Sequence, residues 1–176
     1  MPRLLNRVAA GISASAMAAS AAIVMLTGSA QGQTLSIQTI SAGQALKIVN
    51  AAIAKCSEPG PRITISVAVV DYAGNPRMLL NADTAAPHNL DLARRKAYTA
   101  RTFRRPSAEW AKASTIETPQ FGQRQMVDVI PLGGGMPIMM KGEAIGGVGI
   151  SGAMGGQPAE EACARAAIDA IAGELR

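Results

Sequence analysis

Apolar positions in the first half of the chain alternate between helical and extended spacing. Ser41 to Gln44 has the S-x-x-Q form of a capping box and predicts the start of a helix. The segment from Arg62 to Val70 is rich in β-branched residues with apolar positions on both faces, which is typical of a central strand. A polar turn separates it from a second strand, Arg77 to Asn81. The apolar stripe predicted for the first helix is Leu46, Val49, Ile53 and Cys56.

The second half predicts three more helices and a strand pair. A helix from Asn89 to Thr102 has Asn89 as its expected cap, and a short helix covers Ser107 to Ala113. Ser114 to Val129 carries no regular pattern. A closing helix is expected from Pro158 to about Leu175.

Ten of the eighteen glycines fall between Pro131 and Gly156. Two strands, Met136 to Met140 and Ala144 to Ser151, are predicted there, joined by a tight turn at Lys141–Gly142. Glycine inside a strand leaves room for another backbone or for a flat ligand. The block therefore predicts either a pocket wall or a hairpin that packs tightly under a helix.

This glycine block does not indicate a dinucleotide site. Gly147 to Gly152 matches G-x-G-x-x-G, but that motif must lie between a strand and a helix. Here the glycines lie within a predicted strand, and Asp169, the acidic residue at the expected spacing, falls in the closing helix. NAD binding is excluded on this basis.

The order of the elements predicts the fold class. A helix, a strand pair, a helix, a strand pair and a helix favour an α+β domain, with one antiparallel sheet and helices packed on it.

The first thirty residues are typical of an export signal. Arg3 and Arg7 precede an uncharged apolar stretch, Val8 to Leu26, and small residues allow cleavage after Ala30. An uncleaved anchor is the alternative. Residues 1–30 are thus expected to be a cleaved signal and residues 31–176 a single periplasmic or secreted domain. No later stretch predicts a membrane span.

The charge is modestly basic. The chain carries a net charge of +5, and the mature part would keep fifteen basic residues against twelve acidic ones. In an exported chain this excess argues against nucleic acid and fits a small anionic ligand or plain solubility. The basic residues concentrate at Arg94, Arg95, Lys96, Arg101, Arg104 and Arg105.

Two cysteines in an oxidising compartment suggest a disulfide. Cys56 and Cys163 both fall on the apolar face of their predicted helices, so a bridge between the first and last helices is expected. Two buried free thiols are the alternative. Two cysteines and one histidine cannot by themselves form a tetrahedral zinc site.

Three segments together resemble one family: SVAVVDYAGNPRMLL (Ser66 to Leu80), APHNLDLARRKAYTARTFRRPS (Ala86 to Ser107) and GGGMPIMMKGEAIGGVGISG (Gly133 to Gly152). They are similar to the GlcG/HbpS haem-binding proteins, a family that includes the C-terminal domain of PduO-type proteins. The resemblance covers roughly Ser41 to the end. It implies an α/β sandwich of profilin-like type that assembles into dimers or octamers. It also implies haem binding, with haem breakdown in some members and a link to glycolate or diol metabolism in others.

Haem needs an apolar slot, an axial ligand for iron and cations for its propionates. His88 is the only histidine, so it is the candidate iron ligand, with a solvent-facing loop histidine as the alternative. Few aromatic residues are present, which favours a shallow slot or one shared between subunits. The candidate haem contacts are His88, Arg94, Lys96, Tyr98, Gly133, Gly134, Gly135 and Met136.

Together with this resemblance, the sequence predicts an exported haem-binding protein for scavenging, carriage or sensing, and the resemblance also implies haem degradation in some members. No catalytic residues are identified. The alternative is a binding module or accessory protein for a small organic acid such as glycolate, which would use the same pocket without haem.

Overall fold

The computed structural model of the protein describes residues 34–56 and 64–176. The predicted export signal with its cleavage after Ala30 and the first two residues of the predicted strand, 62–63, lie outside the described residues. Ile37–Arg176 form one compact unit. Of the other unit, Met1–Ser36, only the last three residues are described, and they carry no helix or strand.

The regular elements follow the predicted order. Helices α1 (Ala42–Cys56), α2 (Asn89–Phe103), α3 (Ser107–Ala113) and α4 (Gly156–Asp169) accompany strands β1 (Ser66–Val70), β2 (Pro76–Asn81), β3 (Gly135–Met140) and β4 (Glu143–Ser151). The strands form one antiparallel sheet in the order β2-β1-β4-β3, which confirms the α+β class. Within the described residues, none of the helices is both long and apolar enough to cross a bilayer.

The sheet separates two layers of helices. Val67 and Val69 of β1 belong to the large core that also contains residues of α1 and α4. Ala68 and Val70, which point to the opposite face because side chains alternate along a strand, pack with Ala93 and Ala97 of α2. Helix α2 therefore covers one face of the sheet, and α1 and α4 cover the other.

Local signals at the first helix and at the β3–β4 turn are confirmed. The Gln44 amide donates to the Ser41 hydroxyl at 3.2 Å, and the Ser41 amide donates to the Gln44 side chain at 3.0 Å. Lys141 and Gly142 both have positive φ, at 50° and 84°, as a two-residue turn of this hand requires. The buried face of α1 is rotated relative to the predicted apolar stripe, since Leu46 of that stripe is 50% exposed. The buried positions are Ala45, Ile48, Val49 and Ala52.

Two helix ends differ from the prediction. Asn89 is not the cap of α2: His88 precedes the helix, and the buried Asn89 side chain accepts a hydrogen bond from the Ser151 hydroxyl at 3.3 Å. Helix α4 starts two residues earlier than expected and ends at Asp169, after which Ala172–Glu174 form a 3₁₀ turn. Gly173 in that turn disfavours a continued α-helix.

The structure contains the disulfide between Cys56 at the end of α1 and Cys163 in α4, with the two Cα atoms 5.7 Å apart. The bridge closes a segment with a sequence separation of 107 residues. A long closed loop restricts the unfolded chain strongly. The bond therefore fixes the two helices on their shared face of the sheet.

We expect reduction of Cys56–Cys163 to lower the free energy of unfolding by about 2–4 kcal/mol, because the unfolded chain regains the entropy of a long open loop. Urea unfolding with and without reductant measures the change. A Cys56→Ser/Cys163→Ser double variant should have the urea midpoint of the reduced protein, and adding reductant should not change that midpoint. A parent protein whose midpoint does not move on reduction would contradict this role.

Candidate functional site

The glycines of β4 face the backbone of α2. A Cβ atom added at Gly149 would lie 2.0 Å from the carbonyl oxygen of Ala93, and one at Gly147 would lie 2.5 Å from that of Ala97. Contacts this short cannot be made by real side chains, so only glycine lets the helix approach so closely. Of the two interpretations of the glycine block, the structure supports the hairpin that packs tightly under a helix.

The predicted wall at Gly133, Gly134, Gly135 and Met136 is buried within this chain. A Cβ at Gly135 would lie 2.2 Å from the carbonyl oxygen of Lys96, and one at Gly134 would lie 2.7 Å from that of Ile150. The Gly133 amide donates to the Gln157 side chain at 2.6 Å. The space that a planar ligand would need beside these glycines is therefore filled by α2, β4 and α4.

Met136 is 7% exposed and borders a small hollow of about 260 Å³. The hollow includes Pro106, which follows the C-terminal end of α2, whereas His88 precedes its N-terminal end. A helix of fifteen residues is about 22 Å long. Met136 and His88 therefore do not share one site in a single chain. The other residues that line the hollow are Pro137, Met139, Arg165, Ile168 and Asp169.

Lys96 is buried and forms an ion pair within this chain. Its ammonium group donates to Glu160 Oε2 at 2.7 Å and to the carbonyl oxygen of Ile150 at 3.1 Å, and the two charged side chains are 3% and 6% exposed. Glu160 Oε1 accepts a hydrogen bond from the Gly152 amide at 2.8 Å. Because the Lys96 charge is already paired inside the protein, it is not available for a propionate.

Tyr98 is partly buried and packs on the turn between β1 and β2. Its ring carbon Cε2 would lie 2.7 Å from a Cβ at Gly74, a residue with φ of 84°. Beside it, the guanidinium of Arg101 lies 4.4 Å from the centre of the Tyr72 ring. Tyr98 thus supports the turn, away from the N-terminal end of α2.

His88, which directly precedes α2, and Arg94 of α2 both reach the protein surface, and the Arg94 side chain is 28% exposed. His88 is exposed, and its side chain makes no hydrogen bond to the described part of the chain. Helical spacing places Asp91 and Arg95 on the same face as His88, one and two turns further along. The described residues contain no group of three or more His, Cys, Asp or Glu side chains able to hold a metal ion. Iron ligation by His88 would thus involve a single imidazole of this chain.

An open cleft of about 470 Å³ adjoins this face of α2. One wall is α2, and the other is the end of the 3₁₀ helix Pro119–Gln125 with the residues that follow it. Met126 and Val127 expose apolar surface there, at 45% and 83%. The lining residues are Asp91, Arg94, Arg95, Arg124, Gln125, Met126, Val127 and Asp128. We call this the arginine cleft.

Arg94 and Asp128 join the two walls of the arginine cleft. Arg94 Nη2 donates to Asp128 Oδ1 at 2.7 Å and to Asp91 Oδ1 at 3.0 Å. The hydrogen bond from Arg94 lowers the pKa of Asp128, and the same bond raises the pKa of Arg94. Because the pKa of Asp128 is lowered, the contact is present at neutral pH and is lost only as the pH falls through that lowered pKa, below the ordinary value of an aspartate. Both groups are charged under ordinary conditions.

The cleft contains residues that sequence reasoning missed. Arg124, Met126 and Asp128 belong to the segment interpreted as irregular, and Arg95 was noted only as part of the basic concentration. Asp128 has φ of 67°, in the left-handed region that few residues other than glycine adopt. The run of charged and apolar residues from Arg124 to Asp128 is visible in the sequence, but its position against α2 requires the tertiary fold.

Comparisons with known proteins agree on one group. Residues 40–169 match the family described as haem-degrading HbpS-like proteins. An uncharacterised 15.0 kDa protein from the dhaT–dhaS intergenic region of Citrobacter freundii is 32% identical over 118 residues, covering 66% of this chain and 82% of that one. The crystal structure of HbpS has 32% identity and a TM-score of 0.70, covering 79% of this chain and 94% of that one. The structure of a PduOC–haem complex, at 24% identity, a TM-score of 0.68 and coverage of 76% and 95%, shares the fold.

We expect Gly149→Ala to destabilise the protein by about 1–3 kcal/mol or more, since the new methyl group must push α2 away from β4. The matched control is Gly43→Ala in α1, where nothing lies within 4 Å of the new Cβ. That change should be neutral or stabilising by up to about 1 kcal/mol. Urea midpoints measure both. Equal midpoints for Gly149→Ala and the parent would contradict the close approach.

Lys96→Met should cost about 3–5 kcal/mol, because it leaves the Glu160 carboxylate buried without its cation. Adding Glu160→Gln removes that charge and keeps an acceptor for the Gly152 amide. The double variant should therefore recover part of the loss. Unfolding free energies of the parent, both single variants and the double variant form the test. If the losses of unfolding free energy in the two single variants simply add up in the double variant, Lys96 and Glu160 do not act as a pair.

Proposed function

This chain belongs to the HbpS-like family of haem-degrading proteins, and we propose that it is an exported haem-binding protein whose ligand lies on the outer face of α2. Family membership supports a haem-related role. Two features support this position of the ligand. The space beside Gly133, Gly134 and Gly135 is filled by the chain itself, whereas the face of α2 that points away from the sheet is open.

One arrangement carries this proposal: helical spacing puts His88 on the face of α2 that bears Asp91 and Arg95, two residues that line the arginine cleft. His88 precedes α2, and the cleft begins one turn later with Asp91. Met126 and Val127 add apolar surface on the opposite wall. An imidazole can serve as the axial iron ligand, cations can pair with the propionates, and apolar side chains can contact the macrocycle.

The residues of this chain fit those requirements in distinct roles. His88 would be the axial iron ligand, guanidinium groups of the cleft would hold the propionates, and Met126 and Val127 would contact the macrocycle. The bound haem would supply an iron centre for oxygen or electron chemistry. The protein side would bind, orient and partly shield the group.

The surface is open, so a single chain would leave one face of the porphyrin in water. We propose that the protein is a homo-oligomer, from dimer to octamer, in which a neighbouring subunit covers that face. This arrangement fits the scarcity of aromatic residues, because apolar cover from another subunit replaces a deep pocket. Export would place the protein in the periplasm or outside the cell, where haem scavenging, carriage or sensing takes place.

A second function is favoured by the charge of the cleft. Three arginines line it against two aspartates, and its apolar part is small. The protein could therefore bind a small organic acid such as glycolate without haem, since guanidinium groups suit carboxylates. A thermal-shift series with glycolate and with hemin distinguishes the two functions, because only the true ligand raises the melting temperature steadily with the logarithm of its concentration.

We expect hemin added to the mature protein to give a shifted Soret band that saturates, and His88→Ala to abolish or greatly weaken the shift, because no other imidazole is present. Lys112→Ala, an exposed change on α3 outside the arginine cleft, is the matched control and should titrate like the parent. The measurement is the absorbance titration of all three proteins.

Equal titrations of His88→Ala and the parent would remove His88 from the site while keeping haem binding. Absence of any saturable shift in the parent, together with a melting temperature that rises with glycolate, would replace the haem proposal with the organic-acid function.

A further inference from the structure

The three arginines of the cleft differ in how their charges are compensated. Arg94 Nη2 contacts carboxylate oxygens of Asp128 at 2.7 Å and of Asp91 at 3.0 Å. Two carboxylates already oppose this one guanidinium. Arg94 was a sequence-predicted ligand contact, but its charge is the least available of the three for an added anion.

Arg95 and Arg124 are held mainly by neutral groups. Arg95 Nη2 donates to the carbonyl oxygen of Val129 at 2.8 Å, and the carboxylate of Asp91 lies 3.9 Å from Nη1, beyond hydrogen-bond distance. Arg124 donates through Nη2 to the carbonyl oxygen of Ala111 at 2.7 Å and through Nε to that of Ser114. Carbonyl oxygens orient a guanidinium without neutralising it.

Each of these two arginines keeps donors for a ligand. A guanidinium has five N–H groups in a fixed planar arrangement. Nη1 of Arg124 makes no hydrogen bond to the described part of the chain, and the Arg95 side chain is 33% exposed. Because the backbone bonds fix both side chains in advance, less conformational entropy is lost when an anion binds.

The two arginines belong to opposite walls of one cleft. Arg95 projects from α2, and Arg124 lies at the end of the 3₁₀ helix that faces it. With three guanidiniums and two carboxylates in the lining, the cleft keeps a net positive charge. A ligand that carries two carboxylates on one edge can place one on each wall, whereas a monocarboxylate can use only one.

We propose that Arg95 and Arg124 form a clamp that selects ligands with two carboxylates on one edge. Resting on the haem function proposed above, this assigns the two propionates of haem to these two side chains. Arg94, held by Asp91 and Asp128, is a positioning residue that ties the walls together.

The sharpest test changes the ligand and leaves the protein intact. Hemin and hemin dimethyl ester have the same macrocycle and iron, but the ester lacks both carboxylates. The parent should bind hemin at least about tenfold more tightly than the ester, since charge-assisted hydrogen bonds are among the stronger polar contacts. Arg95→Gln and Arg124→Gln should each weaken hemin binding and leave ester binding unchanged.

Arg165→Gln, an exposed arginine of α4 outside the arginine cleft, is the matched control and should keep the full preference for hemin. Equal affinity of the parent for hemin and its ester would overturn the clamp and leave haem binding in place. A parent that binds neither compound would overturn the haem function and the clamp together. An Arg95→Gln variant that weakens both ligands equally would also contradict the clamp, because the lost contact would then not be to a propionate.

Discussion

Helix α2 lies against strand β4 at a distance that only glycine permits, and this contact determines which side of the helix remains available. The carbonyl oxygens of Ala93 and Ala97 occupy the space above Gly149 and Gly147. With the helix so close, its inward positions hold only small residues or side chains that find buried partners. The outward positions, His88 and Arg95 among them, are left for solvent or a ligand.

Polar contacts hold that arrangement in register. The buried Lys96–Glu160 pair links α2 to α4, and Glu160 also binds the backbone just beyond β4. Asn89 bonds to Ser151 at the same end of the strand. The disulfide then ties α4 to α1 on the far face of the sheet. A buried ion pair is costly unless its geometry is well matched, so it favours one specific packing of helix against sheet.

The sequence predicts the helices and strands better than the candidate site, for physical reasons. The capping box at Ser41, the turn at Lys141–Gly142 and the β-branched run of β1 with apolar residues on both faces are local signals, and the structure confirms them. Glycines in a strand indicate close approach but do not say whether a ligand or a helix approaches. The sequence predicts Lys96 as a ligand contact, because its partner Glu160 is 64 residues away and leaves no local signal that the charge is paired. Arg124 and Asp128 reach the cleft through a loop whose path no periodic pattern encodes.

We propose that the ligand lies outside α2, beside His88 and the arginine cleft, and not between α2 and the sheet. A crystal structure of the hemin complex, with the iron located by its anomalous scattering, tests this most directly. The predicted result is an iron peak next to the His88 imidazole with the propionates directed into the cleft. Iron located beside Gly133–Gly135, with α2 displaced from β4, would contradict it.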